Sequence, residues 1–139
     1  MNDKTYILDT NIWISFILNR QFHILAQKII DHQLDVVICV ELINELRNVL
    51  KRGKFKKYIT GNDINEAIAL HIKLCRFIVV DNQVDVLTDK KDNFLIPLYH
   101  QCPSSFLVSG DKQLLSESIA LQVNTIKFDS FKEYLHNLE

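Results

Sequence analysis

Short apolar runs alternate with longer amphipathic stretches from one end of the chain to the other. Thr5–Leu8 is an apolar run bounded by charge, which predicts a buried strand. It stops at Asp9-Thr10-Asn11, cap chemistry for a helix over 12–18. A second helix over 22–32 places Ile24, Leu25, Lys28, Ile29 and His32 at helical spacing. The β-branched run 36–40 predicts a second strand, and 41–52 then carries Leu42, Ile43, Leu46, Val49 and Leu50 as a helical stripe. Gly53 interrupts that stripe before a basic turn at 54–58. Asp63-Ile64-Asn65-Glu66 has capping-box spacing and opens a helix with Ile64, Ala67, Ile68, His71, Ile72 and Cys75 on one side. A third strand is expected at 77–80. A polar loop through Thr88 then leads to a short helix near 93–100, which Pro97 should shorten or kink. Ser105–Ser109 reads as strand four, closed by Gly110-Asp111 and followed by a short helix over 112–116. A last strand near 124–128 and a helix from Ser130 complete the pattern.

Strands alternating with helices throughout call for a three-layer α/β/α domain with a mainly parallel central sheet. At 139 residues the chain has the size of one such domain, 1–139. Only 3 Gly and 2 Pro leave little room for linkers. The longest apolar run, 12–18, is broken by Ser15 and is far too short for a bilayer, so no membrane partner is expected. Met1-Asn2-Asp3-Lys4 leads straight into the first strand without the pattern of a signal peptide, and a cytoplasmic location is the expectation. The cysteines (Cys39, Cys75, Cys102) form no CxxC pair, and the five histidines include no HxxxH or HExxH. Buried reduced thiols and surface histidines are expected, and no zinc site.

Four acids stand out by position. Asp9 ends the first strand directly before a helix, and Asp111 follows the fourth strand after a glycine. Asp92 falls at the predicted start of a helix, and Glu45 lies in mid-helix. A parallel sheet gathers its site at the carboxyl ends of its strands, where Asp9 and Asp111 both sit. Carboxylates converging on one point repel one another unless a cation stands between them. Mg²⁺ or Mn²⁺ suits such oxygen ligands, and can activate water and clamp an in-line phosphoryl displacement. The chemistry suits hydrolysis of a phosphodiester. Each acid also has a plainer reading: Asp9 and Asp92 as helix caps, Glu45 as a solvated helix position, Asp111 as a turn residue. The pattern alone leaves both readings open.

The motifs around these acids carry a resemblance. Leu8-Asp9-Thr10-Asn11 resembles the opening motif of the PIN-domain superfamily. Glu45-Leu46-Arg47-Asn48-Val49-Leu50 resembles the second acidic motif of its toxin-component subgroup. Asp89-Lys90-Lys91-Asp92-Asn93 is similar to that subgroup's aspartate-x-x-aspartate-asparagine motif, and Val108-Ser109-Gly110-Asp111-Lys112-Gln113-Leu114-Leu115 to its last one. The four occur in the family's order over nearly the whole chain. The resemblance implies a PIN fold, an acidic pocket for Mg²⁺ or Mn²⁺, and endonucleolytic cleavage of single-stranded RNA. Asp9, Glu45, Asp92 and Asp111 would be the metal-site acids, with Asn11, Asp89 and Ser109 as supporting polar groups. It implies an antitoxin protein as partner, covering the site, and a homodimer is a further expectation. Two features depart from the family: Pro97 stands where an alanine-containing helix usually follows Asp92, and Ser109 replaces a threonine.

The net charge of −1 excludes attraction of the whole protein to nucleic acid. Its distribution says something different. Arg47, Lys51, Arg52, Lys54, Lys56 and Lys57 crowd one stretch with no acid among them, interleaved with Phe55 and next to Tyr58. Cations neutralise phosphates and aromatics stack on unpaired bases, so beside an acidic pocket this stretch reads as RNA-binding. The bland alternative is a solvated helix end, whose last turn favours cations. Trp13 and Phe16 read as core. Two other functions compete with the ribonuclease. A catalytically weak PIN-like module that binds RNA or a partner would lack metal-dependent turnover. A phosphotransferase using Asp9 as nucleophile is disfavoured by Asn11 in place of a second aspartate, and by the absence of a GxxxxGK[ST] loop.

Overall fold

Strand β1 (Thr5–Leu8) is buried at all four positions, as a strand covered on both faces must be. A computed structural model of the chain describes residues 4–138; the opening Met1-Asn2-Asp3, read as the approach to the first strand, lies outside the described residues. On either side of β1 run β2 (Asp35–Ile38) and β4 (Ser105–Ser109), with β3 (Arg76–Phe77) and β5 (Thr125–Lys127) at the edges. The order is β3-β2-β1-β4-β5 and every pairing is parallel, with Tyr6 opposite Val36 and Phe106, and Ile7 opposite Val37 and Leu107.

Seven α-helices among the described residues flank the sheet: α1 (Thr10–Leu18), α2 (Phe22–Asp31), α3 (Val40–Leu50), α4 (Gly61–Leu74), α5 (Leu95–Gln101), α6 (Lys112–Ala120) and α7 (Phe128–Asn137). The period-2 alternation of strand side chains divides the core in two. Tyr6, Leu8, Val36, Ile38 and Val108 face one cluster with residues of α1, α2, α3, α4 and α7. Ile7, Val37 and Leu107 face the other, with Leu95 and Leu98 of α5 and Leu114 of α6. The molecule is therefore the three-layer α/β/α domain that the alternating pattern predicts. Trp13 and Phe16 are core residues, as expected.

Several local details differ from the sequence expectations. The capping box sits one turn earlier than Asp63-Glu66. Thr60 accepts from the Asp63 backbone N–H at 3.1 Å, and the Thr60 N–H donates to Asp63 Oδ2 at 3.0 Å. Buried Ile59 and Ile64 then occupy the positions of a hydrophobic staple. β3 has two residues instead of four. Beyond the bond from Ile78 N–H to the Ile38 carbonyl its partner strand has ended, and the chain turns at Cys39 into α3. Arg76 anchors this short edge through two bonds to Asp35, at 3.0 and 2.8 Å. Of the histidines, His71 is not at the surface but fully buried.

The order of strands places the site. From β1 the chain steps to β2 on one side, whereas β4 and β5 lie on the other, so helices diverge where β1 and β4 lie adjacent. Open α/β sheets bind ligands in the crevice outside the carboxyl ends of the strands at such a switch point. Asp9 follows β1 there, and Gly110-Asp111 follows β4.

Candidate active site

Asp9 occupies the N-cap position of α1, yet its side chain makes no capping hydrogen bond. It is 3% exposed, and Oδ2 instead accepts from the Ser109 hydroxyl at 2.8 Å. The cap reading of this residue therefore fails, because the carboxylate is held by the neighbouring strand. Burial raises the Asp9 carboxyl above its usual range, and nearby Asp111 adds to the rise, while Ser109, Thr10 and Lys91 pull the other way.

Asp111 does cap a helix. Its Oδ1 accepts from the backbone N–H groups of Gln113 and Leu114, at 2.9 and 3.2 Å, at the start of α6. Its own N–H donates to Ser109 Oγ at 3.0 Å. Ser109 thus links the ends of β4 and β1 through one buried hydroxyl. Asn11, by contrast, is exposed on the first turn of α1.

Asp92 comes from a 3₁₀ turn, Lys90–Asp92, not from the start of α5. Asp89 caps that turn by accepting from the Lys91 N–H, so Asp92 has no capping duty. Asn93 fastens the segment, its Oδ1 accepting from the N–H groups of Val86 and Leu87. Pro97 is the third residue of α5, in the first turn, where its missing N–H has no helical partner to lose. It leaves the turn holding Asp92 intact. Asp92 is 5% exposed, and burial together with Asp9, Glu45 and Asp89 pushes its carboxyl up to about 7, against the pull of Lys91.

Glu45 is half-buried on α3. Its carboxyl is raised by burial, with Asp9 and Asp89 adding to the rise and Lys91 and Thr10 opposing it. Lys91 Nζ lies 3.8 Å from Glu45 Oε1 and 3.8 Å from Asp89 Oδ2. Asp111 acts on Asp9, Asp9 on Glu45, and both Asp9 and Glu45 on Asp92, which marks one electrostatic cluster in which Lys91 is the recurring cation.

No three His, Cys, Asp or Glu side chains among the described residues are gathered closely enough to hold an ion by protein atoms alone. The donor set fits a hard cation held partly through water, since Mg²⁺ keeps several waters and takes one or two carboxylates. A crevice of about 10 Å³, lined by Asp89, Asp92, Asp111 and Glu117, is of the size of one water or ion. One oxygen of Asp111 remains outside its capping bonds.

Lys91, Thr10 and Glu117 escape the sequence reading. Lys91 sits between the two acids of one motif, which is a signal the sequence carries. Glu117 carries none: it reaches the site by accepting from the Thr88 N–H at 2.7 Å, across 29 positions. In the basic stretch Lys51, Arg52, Lys54, Lys56 and Lys57 are exposed and Arg47 is half-buried. Of these, Arg52 lines a groove together with Glu45 and Lys91.

A family model described as PIN domain matches residues 5–113, from β1 to the start of α6, a span containing all four acids. No curated protein matches the sequence.

Proposed function

Because the chain belongs to the PIN-domain family, a nuclease-type fold, we propose that it is an endoribonuclease cleaving single-stranded RNA with Mg²⁺ or Mn²⁺. The observation that carries this reading is the cluster at the switch point. Asp9, Glu45 and Asp92 come from three separate elements, and each is raised by burial and by other acids of the cluster. Carboxyls kept under such mutual repulsion gain most when a cation joins them.

Asp9, Glu45, Asp92 and Asp111 would hold the ion, and when bound it supplies a Lewis acid and activates water at neutral pH. Ser109 orients Asp9, and its hydroxyl bond opposes the rise that burial imposes on that carboxyl. Asp111 is fixed by its duty as a cap, which leaves its second oxygen aimed by backbone geometry. Asp89 positions Lys91 and Asp92 by closing their turn, and exposed Asn11, two residues after Asp9, would serve as a group for water or substrate. The basic stretch would draw the RNA backbone toward Glu45.

The subgroup motifs at Glu45-Leu46-Arg47, Asp89-Lys90-Lys91-Asp92-Asn93 and Ser109-Gly110-Asp111 support a toxin of a toxin–antitoxin module, acting in the cytoplasm. An antitoxin would cover the acids, and the toxin would form a homodimer. A second reading is a PIN-like module that binds RNA or a partner without turnover; it is supported by the lack, among the described residues, of three acids in ligating reach of one point. A nuclease assay on single-stranded RNA with and without Mn²⁺ separates the two. Metal-dependent cleavage that Asp111→Asn abolishes supports the enzyme; RNA binding without cleavage supports the module.

A further inference from the structure

Two open grooves meet beside the acids. One, of about 440 Å³, is lined by Asn44, Glu45, Asn48 and Arg52. The other, of about 320 Å³, is lined by Asn82, Gln83 and Lys90. They share Glu41, Lys91 and Phe94, so the two join in one track that reaches the acid cluster at Glu45 and has an aromatic ring at its junction. Asn44, Asn48 and Arg52 follow at four-residue steps along α3 and just past its end, a row roughly 12 Å long at 1.5 Å per residue.

The lining has an unusual chemistry for a solvated surface. Five of its side chains are amides, and the four at 44, 48, 82 and 83 are exposed. An amide presents donors and an acceptor together, the combination that matches the edge of a nucleobase. Asn93 differs, since its amide is committed to the Val86 and Leu87 N–H groups. Phe94 is half-buried and packs on the core behind it, which holds the ring in place. A fixed ring at a groove junction offers a stacking surface for any base. Glu41, at the same junction, repels a phosphate but accepts from an exocyclic amine. Lys54, Lys56 and Lys57 line neither groove.

We infer that this track is the subsite for unpaired RNA nucleotides flanking the cleaved bond. Phe94 stacks on a base, Asn44 and Asn48 contact base edges, and Arg52 takes a phosphate. The inference rests on the ribonuclease reading and deepens it. In a duplex the base faces are stacked on one another and the edges paired, so the track selects single strands.

The test uses the full chain carrying Asp111→Asn, so that RNA is bound and not consumed. Binding of a labelled 12-nucleotide single strand, and of the same sequence as a duplex, is followed by fluorescence anisotropy. Asn44→Ala combined with Asn48→Ala, and separately Phe94→Leu, should each weaken single-strand binding by about 10-fold and leave duplex binding unchanged. Unfolding midpoints control for Phe94, which also packs on the core; the exposed asparagine pair decides if Phe94→Leu is destabilised. Single-strand affinity unaltered in the asparagine pair overturns the track and leaves the ribonuclease reading standing, provided the parent protein cleaves. Equal loss for single strand and duplex overturns it too. No binding of single strands, with no cleavage by the parent protein, overturns both.

Discussion

The Ser109 hydroxyl donates to Asp9 Oδ2 at 2.8 Å across 100 positions of sequence, and this bond ties the carboxyl ends of β4 and β1 together. Ser109 Oγ in turn accepts from the Asp111 N–H, so one buried atom sets both flanking acids. Ser109→Ala removes a bond to a buried acid and leaves a backbone donor without its partner. The expected cost is about 1–3 kcal/mol of stability, with weaker Mn²⁺ binding and slower RNA cleavage. Ser109→Thr keeps the hydroxyl and should stay close to wild type. Calorimetric Mn²⁺ titration and unfolding midpoints of the two variants check this, and equal behaviour of Ala and Thr would remove Ser109 from the site.

Asp9 and Asp111 should separate when each is neutralised. Asp9→Asn relieves repulsion at a buried acid whose carboxyl already sits high, so without metal it should be neutral or stabilising. Asp111→Asn retains a capping side chain and should also be close to neutral, whereas Asp111→Ala should lose about 1 kcal/mol with the cap. Both Asn variants should abolish metal-dependent cleavage. Folded Asn variants that cleave RNA at the wild-type rate would sink the proposed acids.

Asp92→Asn should cut cleavage sharply and weaken Mn²⁺ binding, because a hard cation loses a charged oxygen. Pro97→Ala, in contrast, should leave both unchanged, since Pro97 lies in the first turn of α5 and the 3₁₀ turn bearing Asp92 closes ahead of it. Parallel Mn²⁺ titrations of the two variants decide. Loss of Mn²⁺ binding in Pro97→Ala would show that the proline does shape the site.

The sheet and its switch point are legible in the sequence because buried strands write themselves as compact apolar runs. Ser105–Ser109 and Thr5–Leu8 have the boundaries their patterns predict. A third strand is legible but its length is not: that is set by where β2 stops, a tertiary limit that no local run records. The capping box is ambiguous by construction, since Thr60-Asp63 and Asp63-Glu66 share one spacing. The earlier pair prevails with Ile59 and Ile64 both entering the core. Among the acids, sequence position separates Asp9 from an ordinary surface residue but not from a cap. That distinction depends on Ser109, 100 residues away. Glu117 joins the cluster only through folding, whereas Lys91 stands beside Asp92 within one motif.

His71 predicts a pH dependence of stability. Its ring centroid lies 4.0 Å from that of Trp13, the two rings tilted at 50°, and neither ring nitrogen has a partner among the described residues. Burial alone lowers its pKa from 6.5 to about 4. Between those values the unfolded chain binds a proton that the folded one refuses, so the contribution of His71 to stability is full above pH 6.5 and is lost as pH falls toward 4, opposite in sign to that of the raised Asp92 carboxyl. The loss approaches about 3 kcal/mol. His71→Phe should flatten this slope. Denaturant midpoints at pH 7.5, 6, 5 and 4 measure it, and parallel slopes for the two proteins would show that His71 takes no part.

Lys91 predicts how the cluster is balanced before any metal arrives. Its ammonium is 3.8 Å from both Glu45 and Asp89, and it favours the charged forms of Asp9, Glu45 and Asp92. A divalent cation binding among the same carboxylates must share them with this resident charge. Lys91→Met should therefore bind Mn²⁺ more tightly, by about 2- to 5-fold for an exposed ion pair. Lys91→Arg should resemble wild type. Without metal the sign reverses: Lys91→Met leaves the acids uncompensated and should lower the unfolding midpoint, and adding Glu45→Gln should recover part of the loss. The side chain is more than half exposed, so this coupling is of the small size typical of solvated ion pairs. Mn²⁺ binding that weakens in Lys91→Met would mean the ammonium assists the ion instead, for example by holding a substrate phosphate beside it.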